Sequence, residues 1–349
     1  MTYNQLSGFP TLPILLLASL TACSDRSDAD YRAEVALSMH DAIAIDLADL
    51  VQAARDLQSA APTHAWNATA DLGAITQMRE AWKRARIAYE HVEGATAPIF
   101  ADLDVTLDAR YDDYLALLGP AGDQALFDGN GVTGMHGIER ILFAPAIRPE
   151  VIAFERTLPG YKAAAYPATE AEAMAFKTEL VQKLYDDTRA LHDQWQPAAI
   201  DIGAAYQGLV GLMNEQKEKV NLAATGEEES RYANLTLFDL RNNLDGTRKV
   251  YETFRPWITT KPAGADADAR IEDRFTALTA LYGSMPGDSL PVVPDDWSSD
   301  QPTPGNLATP FGALWKTVRE DVDPNSDGSV VFEMNQIAVL LGFPEFVEQ

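Results

Sequence analysis

Cysteine is almost absent: Cys23 is the only one in 349 residues, so no intramolecular disulfide can staple this fold. Long apolar runs are missing too. The one candidate, residues 12–20, is too short to cross a bilayer as a helix. Basic residues are scarce, 27 against 52 acidic ones, for a formal net charge of -25. So acidic a surface repels phosphate backbones, which excludes nucleic acid as a partner, and it favours cations in any carboxylate-lined cleft. Alternating strand runs of useful length are absent, as are a Gly-rich phosphate cradle, a Ser/His/Asp arrangement and a His-Glu-x-x-His motif. What remains is a chain with 46 % hydrophobic residues, enough to bury a sizeable core.

The apolar run ends in Leu20-Thr21-Ala22-Cys23, which resembles a bacterial lipobox. It implies cleavage of residues 1–22, lipidation of Cys23 and a mature chain held on a membrane of the cell envelope. Ser24 after the cysteine leans towards the outer membrane rather than the periplasmic face of the inner one. Residues 23–30 then read as a polar tether.

Helical periodicity follows. Val35, Met39, Ile43, Leu47, Leu50, Ala54 and Leu57 predict a long amphipathic helix closed by Pro62. Asp71 is expected to cap the next helix, through Trp82 and Val92, and Asp104 or Thr106 to open a third reaching Leu118. A loop over 119–133 leads to a helix around His136. Helices are predicted again over 170–195 and 198–224, and after the charged turn at Glu227, Glu228 and Glu229 another runs to Pro256. One more spans 267–282. Residues 284–310 are proline-rich and read as a covering loop, with short helices over 307–320 and 330–341. The expectation is an all-α protein of two tandem antiparallel bundles over 31–283, with 284–349 as an irregular C-terminal segment. Trp82, Tyr111 and Trp257 are most simply core packing.

Two pairs carry the chemistry. His136 and Glu139 stand at i and i+3, so one helix face carries an imidazole and a carboxylate. Glu90 and Glu93 repeat the spacing upstream, where like charges destabilise a helix unless something positive sits between them. With Asp108 on the third helix, these faces can meet in a bundle core, where inward Glu and His side chains hold metals. The remaining histidines, His40, His64, His91 and His192, are scattered and read as surface or structural residues.

The ordered blocks Tyr89-Glu90-x-x-Glu93, Asp102-Leu103-Asp104, Leu107-Asp108-Ala109-Arg110, Gly134-x-His136-x-x-Glu139 and Gly226-Glu227-Glu228-x-Ser230-Arg231-Tyr232 resemble the imelysin-like family. They are most similar to its EfeO/EfeM branch of iron-uptake components. The resemblance covers about residues 30–258 and implies a helical double bundle with a metal site between helices. Carried over by position, the ligands would be Glu90, Glu93, Asp108, His136 and Glu139, with Glu215 as a further acid from the second bundle. Oxygen donors with one imidazole suit iron, and also zinc or manganese, better than soft Cu(I). The branch implies metal acquisition, with an iron permease or peroxidase as envelope partner. The family label implies an alternative, a metallopeptidase with Glu139 as base, and a third reading is metal-bridged binding of an acidic polysaccharide. Separately, Asp323, Asn325 and Asp327 before Gly328 resemble a calcium loop. The twelfth position is Met334, so an Asx turn is expected there instead of a calcium site.

Overall fold

The computed structural model describes residues 26–347, which are helical with no strand among them. Cys23 and residues 1–22, read above as a leader, lie outside the described residues. No helix among the described residues is long and apolar enough to cross a membrane.

Helix α1 (Asp28–Ala60) opens on a capping box between Ser27 and Asp30, and the predicted stripe from Val35 to Leu57 is buried along it. Helix α2 (Leu72–Thr96) starts after Asp71, but that carboxylate does not cap it. It turns back into the loop, taking the Asn67 N–H at 2.7 Å and His64 at 2.9 Å.

The predicted third helix is two. Helix α3 (Ala101–Asp108) stops where Ala109 and Arg110 become extended, and α4 (Tyr111–Leu118) restarts with Asp113 accepting the Arg110 N–H at 3.1 Å. The break leaves Asp108 at a helix end. Helices α5 (Gly134–Leu142) and α6 (Pro149–Glu155) follow. Helix α7 (Glu170–Ala175) runs through a π turn over Phe176–Leu180 into α8 (Val181–Trp195).

Helix α9 (Ile202–Leu222) is capped by Asp201. Helix α10 (Thr236–Ile258) continues past Pro256 rather than ending there. The ladder bond lost lies in the last turn, and Trp257 and Ile258 beyond it are fully buried. Helix α11 spans Gly264–Gly283, α12 Pro304–Leu307, α13 Pro310–Val322 and α14 Val330–Leu341.

Helix α2 is the hub, packed by α1, α9, α10 and α5, while α13 and α14 pack on α9 and α11. Residues beyond 303 therefore do more than cover the molecule. Phe311, Leu314, Val318, Met334 and Ile337 are buried in the same hydrophobic cluster as the α1 and α2 stripes. In the turn before α14, Asp323 accepts the Asn325 N–H at 2.9 Å, Asp327 is exposed, and Glu333 is held by Arg270 at 2.8 Å. These bonds make an Asx turn and leave no free acid at the loop's far end.

Candidate metal centre

Two glycines set the geometry. Gly134 opens α5 with φ +71°, and a Cβ there would lie 2.7 Å from the Leu107 carbonyl oxygen. Only a residue without a side chain lets α5 start against the end of α3, and this brings His136 to Asp108. Gly246 does the same for α10: its Cβ would lie 2.4 Å from His91 Cα. That backbone crossing carries Asn243, one turn earlier, onto Glu90 and Glu93, whose carboxylates accept its Nδ2 bonds (2.9 Å to Glu93).

At the centre stands a side chain the motif reading did not include. Arg86 on α2 is fully buried and binds Glu90 and Asp108, with Glu229 at 3.3 Å and Asp239 at 3.5 Å. The positive group that the Glu90/Glu93 spacing requires is thus supplied by the chain. A second cation, Lys219 on α9, lies 3.4 Å from Glu229 and 3.8 Å from Glu93.

His136 is 1 % exposed, and its two ring nitrogens face different groups. Nδ1 is 2.8 Å from Glu139, whose other oxygen accepts the N–H groups of Tyr232 and Ala233 at 3.0 and 2.8 Å. Nε2 makes no hydrogen bond among the described residues and lies 3.4 Å from both Asp108 and Glu229. One ligand atom from each of Asp108, His136 and Glu229 falls within 4.8 Å of the others. Two carboxylates and the outward nitrogen of a fixed imidazole, once that nitrogen gives up its proton, are donors suited to a first-row metal ion, so the residues fit such a group. Glu139 stands behind the imidazole, where an orienting carboxylate stands in metal sites.

The predicted ligands therefore divide. Asp108 and His136 belong to the converging group. Glu90 is taken up by Arg86 and Asn243, and Glu93 by Asn243 and Lys219, one step away. Glu215 is exposed on α9 and lies outside the group. Glu229 is not among the predicted ligands, because the three successive glutamates read as a charged turn. The available signal was its place inside the Gly226–Tyr232 block.

Charge at the site is unbalanced. Burial pushes Glu93 up to about 7, with Lys219 opposing and Asp108 adding to the rise. Burial likewise raises Asp104 and Asp239 to about 6, and Glu228 to about 7. Burial disfavours charge on His136 as well, but Asp108, Glu139 and Glu229 outweigh it and hold the imidazolium well above its usual range. These raised carboxyls keep protons in the folded chain that the unfolded chain has released. Between about pH 4.5 and 7 the folded state binds more protons, so stability must fall as pH rises through that window. We expect the urea midpoint of the metal-free chain to be lower at pH 7.5 than at pH 5; a higher one at pH 7.5 would contradict this charge balance.

The sequence model of the imelysin family, peptidase M75, matches residues 40–301. The chain belongs to the imelysin family. This imelysin is 25 % identical over 282 residues to the iron uptake system component EfeO of Escherichia coli K12 and, equally, to that of Shigella flexneri. The alignment covers 80 % of this chain and spans 62 % of the length of those curated relatives. Its fold is that of an imelysin-like protein from Psychrobacter arcticum, with a TM-score of 0.57 at 13 % identity, covering 92 % of this chain and 98 % of the other. The all-helical architecture and the family are those the motif blocks imply.

Proposed function

We propose that this imelysin binds a metal ion, iron foremost, through Asp108, His136 and Glu229, and serves iron acquisition at the cell envelope. The observation that carries the reading is the buried, unbonded His136 Nε2 facing two carboxylates. The similarity to iron uptake components supports iron as the cargo. Zinc and manganese share the donor preference. Lipidation at Cys23 would hold the chain on a membrane, and a permease or peroxidase of the envelope would be its partner.

In this reading Glu139 fixes the imidazole, Arg86 and Lys219 hold the surplus carboxylates apart, and the proton on His136 leaves as the cation arrives. Apparent affinity therefore falls on acidification. The peptidase alternative asks for a free base beside the metal. Glu139 is a poor one, with one oxygen on His136 and the other on two backbone N–H groups.

The test is metal content. The mature chain, loaded anaerobically with Fe(II) and desalted, is expected to retain about one equivalent, as a fixed donor set of this kind holds a single ion. A chain that retains none, and none of zinc or manganese, has no such site.

A further inference from the structure

The site is nearly closed. His136, Glu139, Glu90 and Arg86 are at most 1 % exposed, while the side chains of Asp108, Glu93 and Glu229 keep 14, 12 and 8 %. Glu93 is also on the wall of a cleft of about 280 Å³ between α2 and α9, with exposed Glu215 on the same cleft. The helix backbones meet at one side of this cleft, where a Cβ on Gly208 would lie 1.9 Å from the Gly94 carbonyl oxygen. Glu93 and Glu229 share the Lys219 ammonium, at 3.8 and 3.4 Å, so one side chain separates the cleft wall from the site and must move aside when a cation passes.

The same cleft is lined by Phe346, from the C-terminal tail. Its ring is 3.2 Å from where a Cβ on Gly211 would stand. Asn335 on α14 grips the tail by both backbone groups of Phe346, at 2.9 and 3.2 Å, and Gln207 on α9 donates to the Pro344 carbonyl at 3.2 Å. Helices α13 and α14 and this tail all follow residue 301, where the family match ends. The part of the chain outside the match thus supplies an aromatic ring to a cleft whose wall includes Glu93, one side chain from the site.

We propose that this cleft is the way in and out for the cation and that Phe346 narrows it, so that the C-terminal tail sets the rate of metal exchange. The proposal rests on the metal-binding reading above. Glu215 at the surface draws the cation to the opening, and Glu93 receives it one step from Glu229. Phe346 carries no ligand atom for the ion. Its removal therefore speeds entry and exit by the same factor and leaves the equilibrium affinity unchanged.

The test uses the full mature chain and Fe(II) alone under anaerobic conditions. Binding is followed by stopped-flow quenching of tryptophan fluorescence, because Trp82 Nε1 donates to the Met135 carbonyl beside His136. Release is followed with a chromophoric ferrous chelator. Phe346→Ala is expected to raise both rates about threefold or more, with Kd within about twofold of the unaltered chain. Glu215→Gln is expected to slow entry about threefold at low salt and to flatten its salt dependence. Thermal unfolding of both variants checks that the fold is kept. Unchanged rates in Phe346→Ala with tight binding retained overturn the route alone, and so does a change in Kd without a change in entry. Failure of the unaltered chain to bind any Fe(II) overturns the metal reading itself, and the route with it.

Discussion

Replacing Arg86 by alanine is expected to destabilise the metal-free chain by about 3–5 kcal/mol, the largest stability effect available at the site. The guanidinium is wholly buried, and Glu90, Asp108, Glu229 and Asp239 all face it. Removing it strands four carboxylates beside Lys219 and His136, which carry less positive charge than the acids require. Some of those carboxylates will take up protons, which moves the loss towards higher pH. The measurement is the urea midpoint of metal-free protein at pH 5 and 7.5, with the variant's deficit larger at 7.5. Arg86→Lys keeps one charge without the planar fork and should fall in between. A bound cation can stand in for the missing charge, so added metal should stabilise Arg86→Ala more than the unaltered chain. A deficit below about 1 kcal/mol, a value typical of exposed ion pairs, would mean that Arg86 does not hold the acids together.

His136→Ala is the second. It removes the one nitrogen donor of the group and should weaken metal binding by more than about 100-fold, beyond what loss of an orienting partner costs. Glu139→Gln is the informative companion. It keeps shape and burial but removes the charge behind Nδ1, and should cost about 10- to 100-fold. Glu90→Gln touches a carboxylate already bound by Arg86 and Asn243, so its effect on affinity should be the smallest of the three. The three are compared by chelator competition at fixed pH, with proton release recorded alongside. Uptake should release fewer protons in His136→Ala, because the imidazolium proton is no longer there to lose. Equal affinities for His136→Ala and the unaltered chain would remove the imidazole from the site.

What was legible in the sequence is what helix geometry alone dictates. A spacing of three or four residues fixes which side chains share a face, so the α1 stripe, the Glu90/Glu93 pair and the His136/Glu139 pair could be read before any packing was known. The ordered blocks also carried the family, and with it the all-helical fold. Where the chain stops being regular, that reasoning loses its hold. The extended pair Ala109–Arg110 splits the predicted third helix and turns Asp108 into a helix end, which no periodicity announces. Pro256 failed to end α10 because burial of Trp257 and Ile258 outweighs one missing ladder bond.

Only the tertiary structure decided which faces meet. Gly134 and Gly246 allow backbone contacts that bring α5 to α3 and α10 to α2, and those contacts assemble the site. They put Glu229, from what reads as a charged turn, opposite His136 Nε2, and they assign Glu139 to the back of the ring instead of the front. They also bury Arg86, a residue type that usually lies in water, because four acids from α2, α3, α10 and the turn before it converge on it. Spacing along a helix is a local property and survives in the sequence. Convergence of separate helices depends on contacts between residues far apart in the chain, and it exists only once the core has packed.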